Sequence, residues 1–410
     1  MKSPDRTARK PSGKRVDSSA AAIRSPMLAR MDELAVEMRE IRRDIHRHPE
    51  LAYNERRTAG IVAERLRSWG ITVHEGLGKT GVVGVLSAGK SDRKIGLRAD
   101  MDALPIQEQS SLFHRSVYQG IAHSCGHDGH TSMLLCAARY LAETRNFNGR
   151  VHLIFQPAEE GQAGAKAMIA EGLFTKFPCD EIYALHNWPS LPAGTVGTRA
   201  GPIMAAADKF EIVVHSAGGH AAQPHLTADA ILCAGQIITA ANTLIARRID
   251  PNATAVLSVT RIQGGSSHNI MPATVSLMGT VRTFDPAVQD RIESALRDLV
   301  EGTAKAAGCT ATLDYLRYYP ATINNAECAG HAITAGRSLF GEALELDAPA
   351  FTSEDFAFML QEVPGAYVWL GQGSGSGTVP LHHPAYDFND DVLPMGAALL
   401  ATLAERRLAA

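Results

Sequence analysis

The spacing of apolar residues along the chain predicts an alternation of helices and strands. Over 26–48 they recur every three or four positions, as at Met31, Leu34 and Met38, which is typical of an amphipathic helix. Pro49 ends that pattern, and a second helix is predicted over 55–69. Short apolar runs then predict strands at 70–74, 81–86, 94–99, 151–156 and 181–186, with helices over 128–145 and 164–174. Strands that alternate with helices indicate an α/β sandwich around a mostly parallel sheet.

The pattern changes between residues 209 and 318. There it predicts the order strand, helix, strand, strand, helix, strand, which is the βαββαβ order of a ferredoxin-like domain. The chain then returns to helices, an apolar strand at 366–370 and a C-terminal helix over 393–407, a segment too short and too apolar to stand alone. The predicted fold class is therefore α/β: a discontinuous larger domain with a mostly parallel sheet, plus an inserted ferredoxin-like smaller domain. The predicted limits are 26–206 and 319–410 for the larger domain and 207–318 for the inserted one.

Composition and charge exclude several classes of protein. The chain has 410 residues, and 40 Lys and Arg against 43 Asp and Glu give a net charge of −3, without the basic excess that nucleic-acid binding needs. Six widely scattered cysteines favour a reducing compartment, so we expect a cytoplasmic protein. No uninterrupted apolar run approaches the roughly 18–20 residues of a membrane span.

Two segments are expected to lack regular structure. Residues 1–25 are basic, lack the apolar core of a signal peptide and are expected to form a disordered tail, with an organelle transit peptide as the alternative. The glycine-rich stretch 371–377 is expected to be a mobile loop.

The strongest chemical signal is the run from Cys125 to His130, Cys-Gly-His-Asp-Gly-His, just before a predicted helix. Thiolate and imidazole two residues apart suit Zn²⁺, Mn²⁺ or a related metal, and the glycines allow a tight turn that aims both at one point. Asp100 or Asp128 could be the second-shell carboxylate that orients a ligating imidazole. The alternative is that Cys125 is an ordinary buried thiol and Asp128 caps the helix.

Further candidate ligands follow other predicted strands. Glu159 and Glu160 come after the strand at 151–156, His186 ends the strand at 181–186, and His382 follows the strand at 366–370. Because α/β sheets bind ligands at the carboxyl ends of their strands, these side chains are expected to converge. Adjacent residues point in different directions, so one glutamate can bind metal while the other handles a proton. Taken singly, each could be an ordinary loop or core residue.

The inserted segment offers three candidates. His220 lies on a loop between a strand and the long helix, and Asn269 and Arg282 lie at either end of a predicted hairpin region. Asn and Arg donors suit a carboxylate, since Arg presents a planar bidentate fork. Ordinary surface or turn roles remain the alternative for each.

One competing motif is Gly76-Leu77-Gly78-Lys79-Thr80-Gly81, which fits the dinucleotide-binding pattern G-x-G-x-x-G. That fingerprint must open a helix, whereas residues 81–86 have the pattern of a strand. A hairpin is therefore the better interpretation. The sequence also lacks the G-x-S-x-G, H-E-x-x-H and Walker motifs of other enzyme classes.

Together these segments resemble the aminoacylase-like dinuclear metallohydrolases. The resemblance is closest to the subgroup of hippurate hydrolases, N-acetyl-diaminopimelate deacetylases and indole-acetyl-amino-acid hydrolases. It covers residues 46 to about 400 and is carried by seven motifs: His46-Arg47-His48-Pro49-Glu50, residues 98–105 (RADMDALP), 125–130, 155–160 (FQPAEE), 219–225 (GHAAQPH), 353–356 (SEDF) and Leu381-His382-His383-Pro384.

The resemblance implies a function and a set of site residues. Cys125, His127, Glu160, His186 and His382 would hold two divalent metal ions per subunit (Mn, Zn, Co or Ni), with Glu159 as general base. His220 would stabilise the oxyanion, in its own subunit or a partner's, and the inserted domain would form a homodimer.

The expected reaction is hydrolysis of an N-acyl-L-amino acid, hippurate-like or N-acetylated, with Asn269 and Arg282 holding the substrate carboxylate. A dipeptidase or carboxypeptidase on the same machinery is one alternative. A non-catalytic metal-binding protein is the other.

Overall fold

The computed structural model describes residues 25–373 and 378–409. The predicted tail lies outside the described residues apart from Ser25, which caps helix α1 by accepting a hydrogen bond from Leu28 N at 3.3 Å. Of the expected glycine-rich loop, residues 374–377 also lie outside the described part.

Three long helices, three helices of one or two turns and six strands of the large sheet make up most of the described chain before residue 206. The elements are α1 (Pro26–Arg47), α2 (Arg56–Ser68), β1 (Thr72–Leu77), β2 (Gly81–Ala88), β3 (Lys94–Asp100), α3 (His127–Thr144), β4 (Gly149–Gln156), α4 (Glu159–Gln162), α5 (Gly164–Ala170), α6 (Leu173–Lys176), β5 (Glu181–Pro192), β6 (Val196–Thr198) and β7 (Gly201–Met204).

The middle of the chain contributes a second set of elements. These are β8 (Ala206–His215), β9 (Gly219–His220), α7 (Ala230–Arg248), β10 (Ala255–Gly264), β11 (Ile270–Met271), β12 (Thr274–Thr283), α8 (Pro286–Ala306) and β13 (Thr310–Tyr319). The chain finishes with β14 (Thr322–Asn324), α9 (Ala326–Phe340), β15 (Leu344–Glu345), α10 (Phe356–Glu362), β16 (Gly365–Gly373) and α11 (Leu393–Arg407).

The large sheet has eight strands in the order β1-β2-β4-β3-β5-β16-β6-β15. Its four central strands, β4, β3, β5 and β16, are parallel, and antiparallel pairs flank them. Helices α1, α2, α3, α9 and α11 bury one apolar face of this sheet, and α5, α6 and α10 bury part of the other. Strand β16 is buried along its whole length, as expected for a strand covered on both faces. The predicted α/β class is confirmed, with a sheet that is mixed at its edges.

The second sheet is antiparallel, in the order β10-β12-β8-β13, which is the strand order of a ferredoxin-like unit. With α7 and α8 it encloses an apolar core of its own, centred on residues such as Phe210, Ile237 and Leu296. The domain limits 26–206, 207–318 and 319–410 stay a prediction, and the separate cores are what supports them.

Two other features bear on the sequence analysis. Strands β1 and β2 pair antiparallel with Leu77 opposite Gly81, so the G-x-G-x-x-G run is the turn of a hairpin. Among the described helices, α7 is long and apolar enough to cross a membrane, but only a third of its apolar window is buried in the protein. It packs on the small sheet, and a single helix of this length and composition is weak evidence for a membrane span.

Candidate metal centre

A cavity of about 440 Å³ opens at the carboxyl ends of the central strands, beside the inserted sheet. Its size is within the range of small-molecule sites. The predicted site residues that line it are Cys125, Glu159, Glu160, His186, Arg282 and His382. Segments far apart in the sequence therefore meet here because the central strands run parallel and end at the same edge.

Two groups of potential ligand atoms lie against this cavity. The ligand atoms of Cys125, His127 and His186 all lie within 4.8 Å of one another, and so do those of Cys125, Glu160 and His382. Cys125 Sγ is 3.4 Å from His186 Nε2, and Glu160 Oε1 is 3.1 Å from His382 Nε2. Since Cys125 belongs to both groups, they are adjacent candidate cation sites with one thiol in common.

The donor atoms also suit a cation. His127 Nε2 is buried without a hydrogen-bond partner. His186 Nδ1 lies 2.7 Å from the carbonyl oxygen of Asn187, so its N–H is used there and Nε2 is left as an acceptor. Burial lowers the pKa of His186 well below its usual value, which keeps the imidazole neutral. Burial raises the pKa of the Cys125 thiol, and nearby carboxylates add to this, so a cation is what would hold it as thiolate.

The turn between the first two candidate ligands requires glycine. Gly126 has φ +96°, and a Cβ at this position would lie 2.2 Å from Asn187 Oδ1. Helix α3 begins at His127, directly after this turn. On the other side of the cavity His382 has φ +63°, an uncommon conformation for a residue other than glycine, and its N–H bonds the carbonyl of Ser124 at 2.7 Å. The Cys125 and His382 segments are thus tied to each other through their backbones.

The carboxylate that lies against His127 Nδ1 is Asp102, whereas the sequence analysis named Asp100 and Asp128 as candidates to orient a ligating imidazole. Asp102 Oδ1 is 3.2 Å from His127 Nδ1. Asp100 instead lies 2.6 Å from His130 Nδ1 and accepts from Arg98, with its other oxygen 3.8 Å from His127 Nε2. Asp102 was present in the quoted 98–105 motif, but nothing in the sequence distinguished it from its neighbour Asp100.

Asp128 faces away from the cavity because it follows His127 on a helix and points to another side. Its Oδ2 lies 2.9 Å from His46 Nδ1 and 3.3 Å from Arg42 Nη1, and both partners are buried. Arg42 also binds Asp387 and Asp390, at 2.7 and 2.8 Å. Asp128 therefore anchors helix α3 to helix α1 and to the segment that follows His382.

Glu159 belongs to neither ligand group. It is buried, and its Oε1 lies 3.3 Å from the backbone N–H of Asp355. Burial raises the pKa of Glu159 well above its usual value, and the carboxylates of Glu354 and Glu160 raise it further. A carboxyl group whose pKa is raised can accept and return a proton near neutral pH.

The three candidates from the inserted segment are separated by the structure. Arg282, near the end of β12, lines the cavity. His220 and Asn269 are exposed at the opposite end of the sheet, where Ala221 N donates to the carbonyl of Asn269. Thr274 and Thr283, the two ends of β12, are nine residue steps apart, which is about 30 Å at roughly 3.3 Å per residue. In this structure His220 and Asn269 do not line the cavity.

His186 also differs in detail from the sequence analysis. Strand β5 continues to Pro192, so His186 lies inside the strand, opposite Trp369 of β16. Two residues that the sequence analysis missed are His130, whose ring centroid lies 4.5 Å from that of His186, and Tyr319, which lines the cavity. His130 was visible in the 125–130 motif, whereas Tyr319 carried no signal.

Comparison with known proteins identifies the family and relatives of this chain. The family model for Peptidase family M20/M25/M40 matches residues 96–406. The chain is 40% identical over 378 residues to a hippurate hydrolase of Campylobacter jejuni, covering 92% of this chain and 98% of the relative. It is 39% identical over 372 residues to thermostable carboxypeptidase 1 of Saccharolobus solfataricus, covering 89% and 94%.

A solved structure shows the same fold. The Bacillus subtilis YXEP protein, described as a dinuclear metal binding peptidase from the M20 family, superposes with a TM-score of 0.81 at 34% identity, covering 92% of this chain and 99% of that one.

The fold and the site define a metal-dependent hydrolase that acts on amide bonds. The chain belongs to peptidase family M20/M25/M40.

Proposed function

We propose that this protein hydrolyses N-acyl-L-amino acids, hippurate-like or N-acetylated, to a carboxylic acid and a free amino acid. The observation that carries the proposal is the position of Glu159, a buried carboxyl group beside two ligand groups and a member of neither. A protein that only binds metal would gain nothing from this carboxyl group, because burying a carboxyl group that is not a ligand costs free energy. The relative named hippurate hydrolase supports the substrate class.

The proposed ligands are Cys125, His127, Glu160, His186 and His382, which would hold two divalent cations, Mn, Zn, Co or Ni. Bound cations would supply Lewis acidity that polarises the amide carbonyl and makes water nucleophilic at neutral pH. Asp102 would hold the imidazole of His127 in place, since its carboxylate lies 3.2 Å from Nδ1.

Glu159 would act as the general base. Its raised pKa allows it to take the proton of the attacking water and then deliver it to the departing amine nitrogen. Arg282, which lines the same cavity and donates hydrogen bonds to the Thr280 hydroxyl and the Val281 carbonyl oxygen, would bind the substrate carboxylate. Trp188, Met204 and Phe351 line the cavity too and offer an apolar wall to the acyl group.

His220 and Asn269 would serve the active site of a partner subunit. Their exposed position, about 30 Å along the sheet from the Arg282 end, favours this over closure onto their own site. Ile231 and Leu232 of α7 and Ile262 of the edge strand β10 are large, apolar and exposed, which is typical of surfaces buried by association. We therefore propose a homodimer formed through the inserted domain.

The proposed location is the cytoplasm, since all six cysteines are free.

A substrate panel tests the proposal. The protein is incubated with a chelator, dialysed and reloaded separately with Mn²⁺, Zn²⁺, Co²⁺ or Ni²⁺. Release of the amino acid is then measured for hippurate, N-acetyl amino acids and unblocked dipeptides. We expect metal-dependent cleavage of the first two classes.

A carboxypeptidase is the second candidate, favoured by the similarity to thermostable carboxypeptidase 1. It predicts cleavage of C-terminal residues from peptides, and activity confined to peptides would overturn the acylase proposal.

A further inference from the structure

The loop that carries Glu159 has an unusual backbone. This loop, residues 158–163, is called the Glu159 loop below. Ala158 and Ala163 have φ of +55° and +53°, in the left-handed region that residues other than glycine rarely adopt, and Gly161 has φ +77°. Such conformations cost free energy and persist where surrounding groups hold them. The contacts of the loop backbone therefore decide where the Glu159 carboxyl group lies.

Side chains of the larger domain hold several backbone groups of the Glu159 loop. Glu55 Oε1 accepts the N–H of Ala158 at 2.8 Å, and Asp102 accepts the N–H groups of Glu159 and Glu160 at 3.0 and 2.9 Å. Tyr53 Oη donates to the carbonyl oxygen of Gln162 at 2.8 Å. These contacts fix the loop to the sheet and to helix α2 but leave the carbonyl oxygen of Glu159 for another donor.

That donor comes from the strand at which the inserted domain ends. Tyr319, the last residue of β13, donates its hydroxyl to the carbonyl oxygen of Glu159 at 2.5 Å and accepts the N–H of Ala163 at 3.1 Å. The hydroxyl of Tyr318 donates to the carbonyl oxygen of Gly161. Two consecutive residues of one strand therefore hold the same loop.

In a regular strand Tyr318 and Tyr319 would point to opposite faces, so both could not hold the same loop. An irregularity in β13 lets both side chains reach it. Between Arg317 and Tyr319 the pairing of β13 with β8 shifts register, so Arg317 lies opposite Asp208 and Tyr319 opposite Ala207. Bulges of this kind redirect side chains and recur next to active sites. Here the two tyrosine rings stack with centroids 4.5 Å apart and planes 5° apart, and both reach the loop.

We propose that Tyr319 is a positioning residue that couples the inserted domain to the general base. The chain passes between the two sheets at the start of β8 and at the end of β13, so any rotation of the inserted domain turns about these strand ends. Tyr319 transmits the rotation to the Glu159 loop through its hydroxyl, and the base is aligned in one orientation of the inserted domain. This inference rests on the proposed role of Glu159.

Tyr319→Phe tests the proposal, with Tyr315→Phe as matched control. Tyr315 lies on the same strand and donates its hydroxyl to Asp208 Oδ2 at 2.6 Å, away from the loop. Because misplacing a catalytic group by about 1 Å can cost about 100-fold in rate, we expect Tyr319→Phe to lower kcat by about 10- to 100-fold with little change in KM or metal content. Tyr315→Phe should lower Tm while kcat stays at the wild-type value.

A second measurement needs neither metal nor substrate. In the metal-free protein, amide hydrogen exchange of residues 158–163 should become faster in Tyr319→Phe and remain at the wild-type rate in Tyr315→Phe. If Tyr319→Phe does not fold, Tyr318→Phe makes the same test at Gly161, since the Tyr318 ring is partly exposed. A wild-type kcat together with wild-type exchange in the loop would overturn the coupling. If the wild-type enzyme were inactive on the whole substrate panel, the proposed function would be overturned instead. The exchange measurement would still show whether Tyr319 holds the Glu159 loop.

Discussion

Asp102 Oδ1 lies 3.2 Å from His127 Nδ1, and the same carboxylate accepts the backbone N–H groups of Glu159 and Glu160. One buried side chain therefore fixes a candidate ligand and the loop that carries both glutamates. The two glutamates share this anchor, but only Glu160 belongs to a ligand group. Substituting each one in turn should therefore separate metal binding from proton transfer.

Glu159→Gln should abolish turnover while leaving metal content unchanged. The amide keeps the size of the side chain but cannot take a proton, and loss of general base catalysis typically costs about 10²–10⁴ in rate. Metal analysis and kcat are measured on the same preparation. Glu160→Gln is the comparison, and it should lose metal as well as activity. Loss of metal in Glu159→Gln would place Glu159 among the ligands.

Mixed dimers should reveal whose active site His220 serves. His220→Ala and Glu159→Gln should each be inactive alone. If His220 acts across the dimer, a refolded equimolar mixture regains about a quarter of the wild-type activity, because half of the subunit pairs are mixed and each has one intact site. The mixture staying inactive, although mixed dimers are shown to form, would mean that His220 acts in its own subunit or has no role.

Leu232→Glu should weaken the proposed dimer. Leu232 is 59% exposed on α7 within the single chain, so a charge there is tolerated by the fold but not by an apolar interface. Sedimentation velocity should show a monomer, and circular dichroism should show that this monomer keeps the wild-type secondary structure. Val36→Glu, on an equally exposed position of α1, serves as control and should leave the sedimentation coefficient as in the wild type.

The buried network around His46 should make stability depend on pH. Burial by itself lowers the pKa of His46, but hydrogen bonds to Asp128 and Glu108 outweigh it and raise the pKa to about 9. The charged and titratable groups that face this imidazole are Arg42, Glu108, His114, His123, Asp128 and Asp387. Because the folded pKa lies above the unfolded value of about 6.5, the stabilisation is complete below pH 6.5 and is lost as pH rises through 9.

Urea unfolding of the metal-free protein between pH 6 and pH 10 measures this loss. It should be at most on the order of 3 kcal/mol, and His46→Gln should remove it. His48→Gln, at the end of the same helix with a partly exposed ring, should keep the wild-type profile. A wild-type free energy of unfolding that stays constant over this range would contradict the assignment.

The sequence by itself determined the fold class and most of the longer elements, and it supplied the candidate ligands of the proposed metal centre. The apolar pattern located α1 and α11 to within a residue or two, because α1 buries one apolar face and α11 is an apolar run buried almost throughout. The motifs around Cys125, Glu159 and His382 carried enough chemistry to predict a metal centre, since parallel strands bring their carboxyl ends together regardless of what separates them in the chain.

Only the tertiary structure decided which side chains contact each other, because this depends on where each side chain points and not on its residue type. Asp100, Asp102 and Asp128 are equivalent carboxylates in the sequence, and packing assigns them to His130, His127 and His46. Tyr319 carries no motif, and its contact with the Glu159 loop depends on a register shift that periodicity cannot locate. His220 and Arg282 looked alike as candidates of the inserted segment. In the structure His220 lies in the short β9–β11 pair beyond one end of the ten-residue strand β12, and Arg282 lies near the other end of that strand.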